Sequence, residues 1–289
     1  MSHTTLISAR ELLEHLDDPD WAILDCRFLL NDAAYGRREY QQAHIPGAVY
    51  VHLEEDLCAP VEPGRTGRHP LASLDQLVEN FSRWGVDQRV QVVLYDDYPA
   101  GTAGIAARGW WTLRYLGHTA AAVLDGGWLG WKSAGYPWRG GVEARSRRAF
   151  TPEVHPELLA SAEDVERLRH HPAWRVFDSR SPDRYRGENE TIDPVAGHIP
   201  GAFSAPYVEN MNADGIFLPA DALRQRFTSL LQGAPAERAI FYCGSGVTAC
   251  QNLLALAHAG LDGARLYLGS WSEWITDPRR PVAIGADRG

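Results

Sequence analysis

The sequence predicts an α/β protein built from two tandem copies of one domain, each with a mostly parallel sheet covered by helices on both faces. Short apolar segments alternate with amphipathic ones, which is the pattern of parallel strands joined by helices. Four sequence blocks also occur twice, in the same order. The length of 289 residues suits about two domains, each large enough to bury a core.

The repeated blocks establish which parts of the two halves correspond. They are LDCR with FDSR, HIPGA in both halves, VVLYD with AIFYC, and DGGWLGW with LGSWSEW. The spacing between blocks drifts slowly along the chain, as small insertions after a duplication would produce. We therefore predict a first domain over residues 1–140, a linker rich in Gly, Arg and Pro over 141–156, and a second domain over 157–289.

The elements of the second half can be predicted in order. A helix begins after Ser161, which is a good N-cap residue followed by two acidic residues, and is expected to reach His170. Runs of apolar residues predict the strands. The remaining predicted helices cover residues 223–231, 248–258 and 270–275, and the predicted strands cover 174–178, 239–242 and 265–267. The first half follows the same plan.

Features that occur in both halves are expected to serve the fold. His44 and His198 both stand in HIPGA, and Arg27 and Arg180 both follow an aspartate at the end of a predicted strand. We predict structural roles for both pairs. Features found in one half only are the candidates for chemistry.

The loop after the strand at 239–242 differs between the halves. It begins CGSGVT from Cys243, whereas the first half has DDYPAG from Asp96. The carboxyl end of a parallel strand is where ligands bind in such sheets. Gly244 and Gly246 allow backbone N–H groups to converge, and the following helix adds its dipole, so both features stabilise a thiolate. Cys243 is therefore the predicted nucleophile, in a loop suited to hold a persulfide.

The other three cysteines are predicted to be structural. Cys250 lies on the apolar stripe of the helix that follows the loop, and nothing around Cys26 or Cys58 indicates chemistry. The cysteines form neither CxxC pairs nor a dense disulfide pattern, so no metal site is expected. A phosphatase loop would need an arginine six residues after Cys243, where Ala249 stands.

Charge and hydropathy exclude further classes. The net charge of −9 argues against broad nucleic-acid binding, which needs a basic face. No apolar segment reaches the length of a membrane span, and the first residues lack the pattern of a signal peptide. We therefore expect a cytoplasmic protein with no nucleic-acid or membrane partner. In that reducing compartment a lone cysteine can stay a thiol.

The loop sequence CGSGVTAC resembles the active-site loop of the 3-mercaptopyruvate sulfurtransferases, which belong to the rhodanese superfamily. The resemblance extends over nearly the whole chain, including both HIPGA blocks, DGGW and GSWSEW. It implies two tandem rhodanese-like domains, of which only the second is catalytic, and no metal or organic cofactor. Thiosulfate sulfurtransferases usually carry Arg and Lys after the cysteine, where this chain has Gly244 and Ser245. A neutral pair suits a donor whose charge lies on a distant carboxylate.

The resemblance also implies the residues of the site. Cys243 and Ser245 would be catalytic, with Ser245 as a proton relay or hydrogen-bond donor. Arg184, in SPDRYRG, matches an arginine that binds the substrate, and the first half has Asn31 at the corresponding place. Many members have a second substrate arginine about nine residues later, where this chain has Asp193. The expected substrate-binding loop residues are Gly244, Gly246, Val247 and Thr248, and the expected contributions from the first domain are Asp56, Arg68 and His69.

We therefore predict a sulfurtransferase that moves sulfur from 3-mercaptopyruvate through a Cys243 persulfide and releases pyruvate. The donor would be a small anion. The acceptor would be a thiol, such as thioredoxin or a low-molecular-weight thiol, or cyanide. Two alternatives stay open: a thiosulfate sulfurtransferase that uses the same persulfide step, and a non-enzymatic rhodanese-like binding module.

Overall fold

The computed structural model describes residues 2–97 and 104–289 of the chain. These residues form two compact units, each with one five-stranded sheet. The first unit contains the described residues of Met1–Ala59, Ala72–His155 and Met211–Phe217, and the second contains Pro60–Leu71, Pro156–Asn210 and Leu218–Gly289. A short segment from the first half of the sequence therefore packs with the second unit. The domain boundaries in sequence order stay a prediction.

The first unit alternates strands with helices. Its strands are β1 (Leu6–Ile7), β2 (Trp21–Asp25), β3 (Val49–Tyr50), β4 (Gln91–Tyr95) and β5 (Ala121–Leu124). Its helices are α1 (Ala9–Leu13), α2 (Tyr35–Gln42), α3 (Leu53–Asp56), α4 (Leu74–Arg83), α5 (Ile105–Tyr115) and α6 (Gly127–Ser133). The strands pair in parallel in the order β1-β5-β4-β2-β3.

The second unit repeats this arrangement. Its strands are β6 (Leu159–Ala160), β7 (Arg175–Asp178), β8 (Phe203–Ser204), β9 (Ala239–Tyr242) and β10 (Arg265–Tyr267). Its helices are α7 (Ala162–Leu168), α8 (Pro182–Arg186), α9 (Ala220–Leu231), α10 (Ala249–His258) and α11 (Ser270–Trp274). The parallel order β6-β10-β9-β7-β8 matches the first sheet strand for strand. The predicted fold class, with two tandem parallel-sheet α/β units, is confirmed.

The predicted elements of the second half are also confirmed, with small shifts at their ends. Ser161 caps α7 in a capping box with Asp164, but the helix ends at Leu168 rather than at His170. Strands β9 and β10 have the predicted bounds. Helix α9 begins earlier than predicted, directly after Pro219, because the fixed φ of proline suits the entry to a helix.

Each unit contains a buried arginine–aspartate pair at the carboxyl end of the strand next to the middle one. This strand is β2 in the first unit and β7 in the second. In both Arg27 and Arg180, Nη2 lies 2.6 Å from the carboxylate of the aspartate two residues earlier. Each guanidinium also lies 4.8 Å from the centre of a tryptophan ring. The burial of both arginines and their ion pairs confirm the predicted structural role.

The histidines of the two HIPGA blocks are likewise part of the fold. Both rings are buried. Nδ1 of His44 lies 2.6 Å from the carbonyl oxygen of Tyr40, and Nδ1 of His198 lies 2.8 Å from that of Tyr185. Each imidazole stacks on the ring of the same tyrosine. The predicted structural role of both histidines is confirmed.

Both sheets bury tryptophans of the DGGWLGW and LGSWSEW blocks against aliphatic strand residues. In the second unit Trp271 and Trp274 are fully buried beside Val176 and Ile240. Burial of such large side chains is a main source of stability and holds the end of β9 in place. Across residues 2–97 and 104–289, no helix combines the length and the apolar character that a membrane crossing requires.

Candidate active site

Cys243 follows β9, the middle strand of the second sheet, and precedes α10, which begins at Ala249. Its side chain is buried, with 2% of the residue exposed. The carbonyl oxygen of Cys243 accepts the N–H of Trp271 at 3.0 Å, which ties the loop to α11. The structure thus places this cysteine at the carboxyl end of a central parallel strand.

The environment of the Cys243 thiol favours the thiolate. Burial on its own raises the pKa of the thiol. Hydrogen bonds from the Thr248 hydroxyl and from the backbone N–H groups of Ser245, Ala249 and Val247 outweigh burial, so the pKa lies below its ordinary value. A thiolate held in this way is the reactive form of cysteine.

The two loop glycines contribute to the site in different ways. Gly246 has φ +74°, and a Cβ atom there would lie 2.3 Å from the carbonyl oxygen of Leu268. At Gly244 a Cβ atom would lie 3.2 Å from Nη2 of Arg68 and 3.7 Å from both terminal nitrogens of Arg184. The absence of side chains therefore lets the loop close on itself and lets two guanidinium groups approach the residue next to the nucleophile.

The other cysteines have the environments of structural residues. All four cysteines of the chain are free and buried. Burial raises the pKa of Cys26 well above its ordinary value, and burial raises the pKa of Cys58 to about 11. Cys250 is fully buried on α10, with its sulfur 3.4 Å from the carbonyl oxygen of Gly246. The predicted structural roles of these three residues agree with this packing.

Segment Pro60–Leu71 brings two of the predicted residues to the loop. Nδ1 of His69 lies 2.8 Å from Oγ of Ser245, and both residues are buried. Arg68 donates its backbone N–H to Oγ of Ser272 at 3.0 Å. A Cβ atom at Gly67 would lie 2.4 Å from the carbonyl oxygen of Gly269, so glycine is needed where the segment meets α11. Arg68 and His69 were expected from the first domain, but the segment packs within the second unit.

Arg184 lies on α8 and is held by two acidic residues. Its Nε and Nη2 atoms lie 3.0 and 2.9 Å from the two carboxylate oxygens of Glu190. Nη2 also donates to Oδ2 of Asp193 at 3.0 Å, while Oδ1 of Asp193 accepts from Nη1 of Arg68 at 2.6 Å. One buried carboxylate therefore bridges the two arginines that flank Gly244.

Asp56 has its partners inside the first unit. Its Oδ2 accepts the backbone N–H of His52 at 2.7 Å, and its Oδ1 pairs with Arg83 at 3.0 Å. Burial raises the pKa of the carboxyl. These contacts hold Asp56, the last residue of α3, against α4. Its expected role at the nucleophile stays a prediction.

Asp96 stands in the first unit where Cys243 stands in the second. Its Oδ2 accepts the backbone N–H groups of Gly104 and Ala106 at 3.1 and 3.0 Å. Burial raises the pKa of Asp96 to about 7. A carboxyl group thus occupies the place of the nucleophile. The rest of the counterpart loop, from Tyr98 to Gly101, lies outside the described residues.

The sequence reasoning missed Ser270 and Glu190 at the site, and it noted Asp193 only as the position of an absent arginine. The hydroxyl of Ser270 accepts the backbone N–H of Cys243 at 3.1 Å, and Glu190 and Asp193 hold the arginines. The comparison of DGGW with LGSW contained the signal for Ser270, because a serine stands where the first half has Gly127. No local pattern marks Glu190 or Asp193. In the part of the chain that the structure describes, no group of three or more His, Cys, Asp and Glu side chains is arranged to hold a metal ion.

Comparisons with known proteins agree with this geometry. The family model of the rhodanese-like domain matches residues 8–134 and 161–277. A Pseudomonas aeruginosa protein, provisionally described as a 3-mercaptopyruvate sulfurtransferase, is 49% identical over 99% of this chain and 100% of its own length. A Mycobacterium tuberculosis protein, provisionally described as a thiosulfate sulfurtransferase, is 40% identical over 97% of each chain. The crystal structure of an Escherichia coli 3-mercaptopyruvate sulfurtransferase superposes with a TM-score of 0.78 at 30% identity, covering 94% of this chain and 100% of that chain.

Proposed function

This chain belongs to the rhodanese-like family and is a sulfurtransferase, and we propose that it takes sulfur from 3-mercaptopyruvate onto Cys243 as a persulfide. The observation that supports this proposal most directly is the environment of the Cys243 thiol. Hydrogen bonds from the Thr248 hydroxyl and from three backbone N–H groups stabilise its thiolate although the residue is buried. The same donors would stabilise the negative charge of a persulfide on that sulfur.

The first half-reaction transfers one sulfur atom and releases pyruvate. The Cys243 thiolate attacks the donor sulfur, an S–S bond forms, and the C–S bond of the donor breaks. The electron pair of the C–S bond remains on carbon as the pyruvate enolate, which takes up the proton of the donor thiol at that carbon. The products are the anionic persulfide of Cys243 and pyruvate, so atoms and charge balance.

Ser245 and His69 are the residues proposed to move that proton. Their hydrogen bond of 2.8 Å couples the hydroxyl, two residues after the nucleophile, to an imidazole. Histidine is suited to proton transfer near neutral pH. A relay through the hydroxyl would take the thiol proton of the donor and return it to the enolate carbon.

Arg184 is the proposed partner of the donor's carboxylate. It lies next to Gly244, and 17% of its side chain is exposed. A guanidinium suits a planar carboxylate because two N–H groups can donate in parallel. The carboxylate would then lie on one side of the loop, with the donor sulfur directed at Cys243. Backbone groups of Gly244, Gly246 and Val247 would line the remaining wall.

The second half-reaction passes the outer sulfur to an acceptor. A sulfurtransferase implies both a donor and an acceptor, and we propose a thiol acceptor such as thioredoxin or a low-molecular-weight thiol, with cyanide as a substitute. The acceptor thiolate attacks the outer sulfur, and the S–S bond breaks to return the Cys243 thiolate. Neither half-reaction calls for a metal or an organic cofactor. Four free thiols fit a reducing compartment, and we propose the cytoplasm.

Thiosulfate is the second candidate donor. The Mycobacterium tuberculosis relative carries that provisional description, and two guanidinium groups approach Gly244 in this structure. Two such cations would attract a dianion such as thiosulfate. However, Glu190 and Asp193 already pair with them, and this pairing reduces the attraction that a dianion would feel.

A side-by-side assay of the two donors tests the proposal. The expected result is a higher kcat/KM with 3-mercaptopyruvate than with thiosulfate, with pyruvate formed in equal amount to the sulfur transferred. Cys243→Ser should abolish transfer from both donors, and Cys250→Ser serves as the matched cysteine control. A higher kcat/KM with thiosulfate would replace the proposed donor, and activity retained in Cys243→Ser would refute the persulfide step.

A further inference from the structure

The arginines beside the nucleophile are already occupied by a carboxylate of the protein itself. Only 2% of the Asp193 side chain is exposed, so its carboxylate oxygens are shielded from solvent. Oδ1 accepts from Arg68 at 2.6 Å and Oδ2 accepts from Arg184 at 3.0 Å. The carboxylate thus sits between two guanidinium groups, as a bound anionic ligand would.

Arg68 supplies a second positive charge beside the nucleophile loop. The sequence resemblance implied a second substrate arginine nine residues after Arg184, and this chain has Asp193 at that position. The structure brings Arg68 from segment Pro60–Leu71 to the same aspartate and to within 3.2 Å of a Cβ atom built on Gly244. Its Nε is buried and has no hydrogen-bond acceptor. Arg68 is therefore the second cation next to the nucleophile, with a donor nitrogen to spare.

Apart from the Cys243 thiolate, the charges of the arginines and carboxylates beside the loop cancel. Arg68 and Arg184 contribute two positive charges, and Glu190 and Asp193 contribute two negative ones. Arg180 also pairs with Glu190 at 3.3 Å, but Asp178 balances its charge, so the sum stays zero. An approaching anion therefore meets fixed donors without a net positive field, which penalises a dianion more strongly than a monoanion.

From these contacts we propose that Asp193 is an internal competitor for the donor's carboxylate, and that Arg68 is the second arginine of the donor site. The inference rests on the proposed function, because it assigns the donor carboxylate to this arginine pair. The donor displaces or shares the hydrogen bonds of Asp193. By keeping the pair neutral, Asp193 selects a singly charged α-keto carboxylate over a doubly charged oxyanion. Asp193 is thus a specificity residue, and it acts through the two arginines.

Removal of the carboxylate charge should reveal both effects. Asp193→Asn keeps the shape of the side chain and adds one positive charge to the site. Electrostatic attraction scales with the charge of the ligand, so the affinity gain for a dianion should be about the square of the gain for a monoanion. We expect about tenfold tighter binding of pyruvate and about a hundredfold tighter binding of sulfate.

The test measures anion binding without turnover. Pyruvate and sulfate are titrated as protectants of Cys243 against alkylation by iodoacetamide, which is uncharged. Glu188→Gln is the matched control, since Glu188 is exposed on the same segment and pairs with Arg186. It removes one charge without touching either site arginine. Arg68→Gln is the second variant, expected to weaken both anions and sulfate more strongly, so the proposal is still tested if Asp193→Asn does not fold.

The outcomes separate this inference from the proposed function. Asp193→Asn with unchanged or weaker binding of both anions would overturn the competitor role. Arg68→Gln with wild-type binding would overturn the role of Arg68. A wild-type protein that binds the anions but forms no persulfide from 3-mercaptopyruvate would contradict the proposed function, and the two variants would still decide the inference.

Discussion

The hydroxyl oxygen of Ser270 lies 3.1 Å from the backbone nitrogen of Cys243 and accepts its N–H. The same hydroxyl donates to the carbonyl oxygen of Tyr267 at 2.9 Å. Ser270 has φ +56°, a backbone conformation that residues other than glycine rarely adopt. The corresponding residue of the first unit is Gly127, with φ +52°. The catalytic unit thus carries backbone strain at the residue that orients its nucleophile.

Ser270→Ala should separate the hydrogen bond from the strain when it is compared with Ser270→Gly. Alanine keeps the strained φ and leaves a buried N–H without its acceptor, which costs about 1–3 kcal/mol in free energy of unfolding. Glycine also loses the acceptor but relieves strain of about 1–2 kcal/mol. Urea denaturation should therefore rank the wild type first, Ser270→Gly second and Ser270→Ala third. An Ser270→Ala protein as stable as wild type would show that this hydrogen bond contributes nothing.

Thr248→Val should raise the pKa of Cys243. The Thr248 hydroxyl donates to the thiol sulfur and is the strongest of the hydrogen bonds that offset burial there. Valine removes this donor with little change in volume. The rate of alkylation by iodoacetamide as a function of pH should then have its midpoint at higher pH, and Thr248→Ser should keep the wild-type midpoint. A midpoint that does not move in Thr248→Val would mean that the backbone N–H groups alone hold the thiolate.

Ser245 and His69 should behave as one functional unit in a double-mutant cycle. Ser245→Ala and His69→Ala are each expected to lower kcat about a hundredfold, within the usual contribution of acid–base catalysis. Because the two side chains share one hydrogen bond, the double variant should lose little more than either single variant. Steady-state kinetics with 3-mercaptopyruvate measure all four proteins. Losses that multiply in the double variant would show that the two residues act independently.

Asp96 should make the first unit less stable as the pH rises. Burial raises its pKa to about 7, whereas an aspartate in an unfolded chain titrates near about 4. The folded state therefore holds the proton more tightly, and this contribution to stability is lost as the pH rises from about 4 to about 7. The full loss for such a shift is about 4 kcal/mol.

Asp96→Asn removes this titration and keeps an oxygen to accept the N–H groups of Gly104 and Ala106. We expect the variant to gain stability over the wild type at about pH 8 relative to about pH 5, as measured by urea denaturation at both pH values. An equal difference between variant and wild type at the two pH values would contradict the raised pKa.

The internal duplication made most of the fold predictable. The predicted bounds of strands β9 and β10 equal the observed ones. Short apolar runs with clear turns on both sides leave little choice of position. Cys243 could be selected because the corresponding residue is Asp96, and its loop glycines indicated the nest that the structure contains. These features are local in sequence.

The remaining site residues depend on contacts that no local pattern encodes. His69 is hydrogen-bonded to Ser245, which lies 176 positions further along the sequence. The sequence around it has no period that would indicate which unit it packs against. The sequence showed Asp193 only as the position at which an expected second arginine is absent. Its bridge between Arg68 and Arg184 depends on how two separate segments fold together. Non-local ion pairs of this kind follow from the tertiary structure.

Mass spectrometry of the protein after incubation with 3-mercaptopyruvate, without acceptor, tests the central claim most directly. The account predicts one added sulfur atom on the peptide that contains Cys243, its loss on addition of a thiol or cyanide, and no addition in Cys243→Ser. Cys250→Ser should acquire the sulfur as the wild type does. An active protein whose Cys243 peptide carries no added sulfur, or which carries it on another cysteine, would contradict the account.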